Sequence, residues 1–219
     1  MAENFTPTEA SGPSTPVLIK NLNTPGVWRV EIFLNMSANI IFITGSSAVG
    51  KTPLVASLKK VLPDSFIVHD LDEKLPEANR TENNWLHKWR NKTTKFFLDE
   101  AVKNAGLNKS TIISGLTFPS EIYKLADSNI AKKIKILLLD ANNEALRDRF
   151  LTGRFSNQNN VAALKKDTGL TPEELIEKNK RDIDRLKKEC VEHNAKIIDT
   201  SDLKTDEVAS QIKNWLLAE

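Results

Sequence analysis

Cysteine is nearly absent. Cys190 stands alone among 219 residues, which excludes an intrachain disulfide and any zinc site built on several thiolates. A dominant charge sign is missing too. Thirty-one Lys and Arg face 29 Asp and Glu, a net charge of +2, so no basic excess points to nucleic acid or to an anionic membrane surface. Long apolar runs are lacking: the longest, Ile40–Ile43 and Ile136–Leu139, fall far below the ~20 residues that span a bilayer. No basic segment followed by an apolar one opens the chain, so no secretory signal is visible and a cytoplasmic location is expected. Methionine occurs only at Met1 and Met36. What is present is a 40% hydrophobic and 27% charged composition, enough apolar side chain for the core of one compact domain.

The chain divides near Met36. Four of the nine prolines (Pro7, Pro13, Pro16 and Pro25) precede it, and residues 6–16 are a Pro-, Ser- and Thr-rich stretch. Residues 1–35 are therefore expected to be a disordered or loosely packed extension, with one strand-like run over 27–34. Met36-Ser37-Ala38-Asn39-Ile40 resembles a protein start that runs directly into a strand, so residues 1–35 are expected to be dispensable. Residues 1–37 hold two basic and three acidic side chains, leaving 29 basic against 26 acidic beyond them, a net +3.

From there apolar β-type runs alternate with helical patterns. The runs are 39–44 (NIIFIT), 65–69 (SFIVH), 110–114 (STIIS), 134–140 (IKILLLD) and 195–199 (AKIID). Continuous apolar runs suit strands buried on both faces. Helical patterns cover 51–62, 82–105, 120–129, 143–151, 172–193 and 205–217, and the polar stretch 156–160 is expected to be loop. Thr171-Pro172-Glu173-Glu174 is a capping box with proline at the first helical position. Five strands with intervening helices predict a parallel α/β sheet with right-handed crossovers.

Gly45-Ser46-Ser47-Ala48-Val49-Gly50-Lys51-Thr52 fits the phosphate-binding loop G-x-x-x-x-G-K-[ST], between a predicted strand and a predicted helix. The glycines allow a tight turn and close approach to an anion, and the helix N-terminus adds its N–H groups. Lys51 is placed to reach the β- and γ-phosphates of a nucleotide, and Thr52 to ligate Mg²⁺. Pro53 departs from the usual pattern: it has no N–H, so the α-phosphate is expected to be held less tightly. Asn179-Lys180-Arg181-Asp182 matches the letters of a guanine-binding motif, but inside the capped helix its side chains diverge around the axis. The third strand ends in Ser114, where large motor ATPases carry an acid. In an extended segment Asp70 and Asp72 point the same way, and a carboxylate there can orient a hydroxyl and take its proton. A solvated acidic loop is the alternative for this pair.

Several features carry a resemblance. The phosphate loop lies near the start of the domain, and the second strand ends in His69-Asp70-Leu71-Asp72-Glu73. The fourth strand leads into Arg147-Asp148-Arg149-Phe150-Leu151-Thr152-Gly153-Arg154, and the last into Asp199-Thr200-Ser201-Asp202. In this order the chain from Ala38 to Glu219 resembles the nucleoside- and nucleotide-kinase-like P-loop family, which includes adenylate, shikimate and gluconate kinases. The combination with Ile112-Ile113-Ser114-Gly115 is also similar to bacterial ATP-binding proteins of that group.

The resemblance implies a three-layer α/β P-loop NTPase fold, a five-stranded parallel sheet in the order 2-3-1-4-5, and a lid over residues 152–170. It implies ATP- and Mg²⁺-dependent phosphoryl transfer to a hydroxyl of a small molecule such as a nucleoside or sugar-like compound. Lys51, Asp70 and Arg154 would be catalytic, and Asp70 would share Mg²⁺ with Thr52. Residues 45–52 and Arg149 would hold the nucleotide, with Arg149 stacked on adenine. Asp70, Asp72, Trp89 and Arg90 would contact the acceptor; core packing is the alternative for Trp89 and is expected for Phe96, Phe97 and Trp215. Arg181 and Arg185 would either turn back over the site or form surface ion pairs with Glu177, Asp182 or Glu189. Ser120 stands where adenylate kinases carry a phosphate-gripping arginine, which argues against a nucleoside monophosphate as acceptor. An ATP-binding sensor without transferase activity, or a plain nucleotide hydrolase, are the rival readings. No nucleic-acid or membrane partner is expected, and the oligomeric state is open.

Overall fold

A computed structural model describes residues 18–20, 28–30, 38–74 and 84–218. The expected N-terminal extension lies mostly outside these residues. Its described parts are strands β1 (Leu18–Lys20) and β2 (Trp28–Val30), paired antiparallel.

The remaining strands are β3 (Ile40–Gly45), β4 (Phe66–Asp70), β5 (Ser110–Ser114), β6 (Ile134–Asp140) and β7 (Lys196–Asp199). They form one parallel sheet in the order β4-β5-β3-β6-β7. Counted from β3 this is 2-3-1-4-5, as expected. Side-chain alternation divides the apolar runs between two cores. Ile40 and Phe42 of β3, Ile113 of β5, and Ile136 and Leu138 of β6 face one layer. That layer holds α2 (Trp85–Ala105), α3 (Pro119–Leu125) and α7 (Pro172–Glu192), through Phe97, Ile122, Leu186 and Cys190. Ile41 and Ile43, Ile112, Leu137 and Leu139 face the other layer, α1 (Lys51–Val61) and α8 (Thr205–Leu217), through Leu54, Leu58, Val208 and Ile212. The result is three layers. Central strands β3 and β5 are buried throughout, whereas edge strands β4 and β7 are partly exposed. Truncating a fully buried ring such as Phe42 would cost about 3–5 kcal/mol.

Several helix boundaries differ from expectation. The pattern over 120–129 breaks at Ala126, and Asp127 then caps a second short helix, α4 (Ser128–Ala131), by accepting from the N–H groups of Asn129 and Ile130. The pattern over 143–151 is α5 (Asn143–Asp148) followed by a turn of π-helix, Arg149–Arg154. The polar stretch 156–160 is not all loop. The Asn157 side chain accepts from Asn159 N–H and starts α6 (Gln158–Thr168), so local capping overrides poor helix propensity. Helix α7 carries the expected capping box: Thr171 and Glu174 each accept from the other's backbone N–H. The Asn179–Asp182 motif lies within it.

Candidate active site

The phosphate loop leaves the carboxyl end of β3 and enters α1. Gly45 is pressed against the next strand: a Cβ there would lie 2.7 Å from the Leu139 carbonyl oxygen and 2.8 Å from Val49 Cγ1. Ala48 and Gly50 both have positive φ, 65° and 102°. Gly50 is the N-cap of α1, with no side-chain cap, so the first amides of the helix are left without one. Ser46 is buried, Ser47 half-buried and Thr52 exposed. Lys51 turns back into the loop, its Nζ donating to the carbonyls of Gly45 (2.8 Å) and Ser46 (2.6 Å). A nucleotide phosphate would compete with those two carbonyls for the ammonium. Pro53 sits in the first turn of α1, where a missing N–H removes no intrahelical bond.

Beside this loop lies a cleft of about 510 Å³. Its lining includes Gly50 and Pro53 of the loop and α1, Arg149, Thr152 and Gly153 of the π-turn, and Thr200, Leu203 and Val208 after β7. Arg149 is fixed by donating to Thr200 Oγ1 (3.1 Å) and to the carbonyls of Thr200 and Ser201. Thr200 Oγ1 in turn donates to the Asp140 carbonyl at 3.0 Å. The guanidinium is thus anchored before any ligand arrives. Asp199 closes the same loop by accepting from Ser201 N–H and Oγ–H, bonds that hold its carboxyl below the usual range. The Arg149–Arg154 π-turn is a form of helix that recurs at functional sites. The Arg154 side chain lies outside the described residues. Leu203 and Val208 were not legible as cleft residues. Only the sheet order, which carries α8 across to pack on α1, brings them there.

Asp70 ends β4, half-buried and in register with Ser114 of β5. The expected same-side arrangement of Asp70 and Asp72 does not occur. The strand stops at Asp70, and Leu71–Lys74 is a 3₁₀ turn, so alternation no longer applies. Instead Asp70 Oδ1 accepts from the Asp72 N–H at 3.0 Å, and Asp72 is exposed. His69 packs its ring 4.8 Å from that of Phe97, and burial lowers its pKa against the pull of Glu73. Ser114 is fully buried, and its Oγ has no partner among the described residues. At Gly115 a Cβ would lie 2.4 Å from Leu71 Cβ, so glycine there allows the turn after Asp70 to close on β5.

Trp89 is buried in the core with Leu71, Phe118 and Ile122. Arg90, beside it on α2, donates to Glu121 Oε1 at 2.7 Å. Phe97 is fully buried as expected, but Phe96 is 41% exposed, because the helix face turns away from the sheet there. Trp215 is partly buried against the second core. Arg185 forms an ion pair with Glu189 at 2.8 Å and lies over the Phe118 ring at 4.2 Å; both Arg185 and Arg181 are exposed. Glu121 is the residue that sequence reading missed. It is a nearly buried carboxylate in the first turn of α3, and nothing in its neighbours' identities signals that burial.

Among the described residues no group of three or more His, Cys, Asp or Glu converges as a metal cage. Thr52 and Asp70 would supply hard oxygen donors of the kind Mg²⁺ takes when phosphates and water complete its shell.

No protein-family model matches the chain, and no curated protein sequence matches it. Solved structures do. Shikimate kinase from Bacteroides thetaiotaomicron superposes with a TM-score of 0.53 at 18% identity, over 83% of this chain and 99% of its own. A sugar kinase from a Janibacter species gives 0.53 at 14% identity, over 82% and 94%. The adenylyl-sulfate (APS) kinase of Mycobacterium tuberculosis, in complex with AMPPNP and APS, gives 0.51 at 13% identity, over 83% and 98%. The chain has the P-loop kinase fold. At these identities the likeness is one of fold. Within the P-loop kinase fold here, the phosphate loop, the Arg149 cleft and the Asp70 turn all gather at the carboxyl ends of parallel strands, where such sheets bind ligands. No helix among the described residues is long and apolar enough to cross a membrane.

Proposed function

We propose that the protein transfers the γ-phosphoryl group of ATP to a hydroxyl of a small molecule. The observation that carries this is the phosphate loop opening into a nucleotide-sized cleft on one side, with the Asp70 turn at the same carboxyl edge of the sheet, two strands away across β5. Lys51 and the loop amides of residues 45–52 would hold the phosphates, and Arg149 would present its anchored face to the base. Thr52 and Asp70 are the residues that would hold Mg²⁺, which supplies neutralising charge on the phosphates when bound. Asp70 would orient the acceptor hydroxyl. As its oxygen bonds to the γ-phosphorus and the bond to the β–γ bridging oxygen breaks, the hydroxyl proton passes to the carboxylate and ADP leaves. Arg154, with residues 152–170 as a lid, would meet the transferring group and exclude water.

The test is ADP release measured with and without a panel of nucleosides, sugars and aminoglycosides. Acceptor-dependent release, lost in both Lys51→Ala and Asp70→Asn, is the expected result. ATP binding without release under any acceptor would favour a sensor, and fast release without acceptor a hydrolase.

A further inference from the structure

Phe118 follows β5 and is the centre of a charge cluster. The guanidinium carbons of Arg90 and Arg185 lie 5.2 Å and 4.2 Å from its ring centroid. Each guanidinium already has a carboxylate of its own. Arg90 donates to Glu121 Oε1, and Arg185 Nε donates to Glu189 Oε1 at 2.8 Å. Glu189 Oε2 accepts from Ser120 N–H at 3.0 Å, so that carboxylate is used on both oxygens. Glu121 is not. Its Oε1 receives Arg90 and stands 3.2 Å from His87 Nδ1, while its Oε2 is buried and has no partner among the described residues. The side chain is only 9% exposed.

Two further donors on α2 are also left over. Arg90 Nε and Trp89 Nε1, on consecutive residues of α2, are buried without partners among the described residues. Leaving a buried polar group unpaired costs about 1–3 kcal/mol, more for a charged one, so folds seldom keep three together without a use. The segment that carries Phe118 and Glu121 is tied to the phosphate loop. Thr117, one residue before Phe118, is bonded through its backbone to Thr44 Oγ1 at the head of the phosphate loop.

We infer that this cluster is the acceptor-recognition site and that it selects a polyhydroxylated molecule carrying no anionic group. The inference rests on the phosphotransferase reading above. The sign of charge decides it. Two arginines could serve as an anion grip, but Glu121 and Glu189 cancel both charges. A carboxylate, phosphate or sulfate on the acceptor would have to displace Glu121 or lie beside its bare oxygen, and like charges in a buried site repel strongly. A hydroxyl has the chemistry to answer two of these groups at once. It donates to Glu121 Oε2 and accepts from Trp89 Nε1–H or Arg90 Nε–H. An ammonium would satisfy the carboxylate but not the two donors.

Two measurements test this. The first needs no activity. Inorganic sulfate is titrated by thermal shift against the full chain saturated with Mg²⁺ and a non-hydrolysable ATP analogue, with Arg90→Gln as the blank. Wild type should show no saturable shift beyond the blank. Glu121→Gln, which keeps the shape and removes the charge, should gain one, with at least ten-fold tighter apparent sulfate binding than wild type. Sulfate binding by wild type that disappears in Arg90→Gln would overturn the inference without reference to any Glu121 variant. The second is ADP release with ribose, adenosine and kanamycin against gluconate, shikimate and adenosine monophosphate. Release should come from non-anionic acceptors, and Glu121→Gln should raise their KM at least ten-fold more than it raises that of ATP. Preference for the anionic set would overturn the inference. Silence across the panel, with the expected sulfate result, would overturn the phosphotransfer reading and leave the charge selection supported.

Discussion

Replacing Gly115 by alanine should damage the Asp70 turn while sparing nucleotide binding. The added Cβ would lie 2.4 Å from Leu71 Cβ, 2.9 Å from its Cδ2 and 3.2 Å from its Cγ. Ordinary carbon contacts are about 3.5–4.0 Å, so the overlap is about 1 Å. A rotamer change of Leu71 moves Cγ and Cδ2 but not Cβ, so the backbone must give. Leu71 is 1% exposed, with the 3₁₀ turn on one side and Trp89 and Phe118 in its cluster, so the relief available is to push residues 70–74 away from β5. Overpacking of this kind costs about 1–3 kcal/mol. For a domain of this size that is a drop in Tm of about 2–12 °C. The displaced segment carries Asp70, whereas the phosphate loop hangs on β3 and α1. Calorimetric melting, titration of MgATP and acceptor-dependent ADP release should therefore separate. Stability should fall, nucleotide affinity should hold within about three-fold, and turnover should fall by an order of magnitude or more. A melting temperature within a degree of wild type, with full turnover, would show that the turn has room to yield and that Gly115 does not set its position.

Lys51→Ala should weaken MgATP binding. Loss of charge-assisted bonds from the ammonium is worth about 1.5–3 kcal/mol, or roughly 10–150-fold in Kd by titration calorimetry, and a change below about three-fold would remove the lysine from the phosphate site. Burial lowers the His69 pKa below 6.5, so the unfolded chain binds the proton that the folded one resists. Stability should fall as pH drops through about 6.5, and His69→Gln should flatten that limb in urea midpoints; superimposed profiles would refute it. Burial pushes the Cys190 thiol up to about 12, so a thiol reagent at pH 8 should label it only as the protein unfolds, and labelling within minutes in native buffer would show an open path to it.

The strands were legible because each central strand has a run of two to four consecutive apolar residues rich in isoleucine or leucine, and the sheet buries both of its faces. The phosphate loop was legible because its backbone geometry demands glycine at fixed spacing: Gly45 against Leu139 and Gly50 at φ 102° are positions where a side chain does not fit or the backbone disfavours one. What failed was reasoning by period across a change of structure. Asp70 and Asp72 share a side only if the strand continues, and Asp70 ends it by accepting the Asp72 N–H. The 120–129 segment had helical composition throughout, but Asp127 used its carboxylate to start a new helix. Glu121 was hidden for a different reason. Its partners lie 31 and 34 positions away in the chain, and only the packing of α2 on α3 makes a surface-type residue a buried one.

That packing also explains how the proposed phosphate and acceptor sites would be held at a fixed separation. Ser114, Gly115, Thr117, Phe118 and Glu121 fall within eight residues of β5 and its exit. Three bonds tie that exit to the neighbouring strand: Gly115 N–H donates to the Ile43 carbonyl, Thr44 Oγ1 donates to the Thr117 carbonyl, and Thr117 N–H donates to Thr44 Oγ1. Thr44 is the residue before the phosphate loop. The distance between the phosphate grip and the Glu121 cluster is therefore set by two adjacent, fully buried strands rather than by the segments around them. Sites mounted this way tolerate little positional error, since the reacting oxygen must approach phosphorus to about 3–3.5 Å. The π-turn, one of the elements that differ from expectation, lines the cleft through Arg149, Thr152 and Gly153, away from β5, so movement there would leave the proposed acceptor-to-phosphate spacing unchanged.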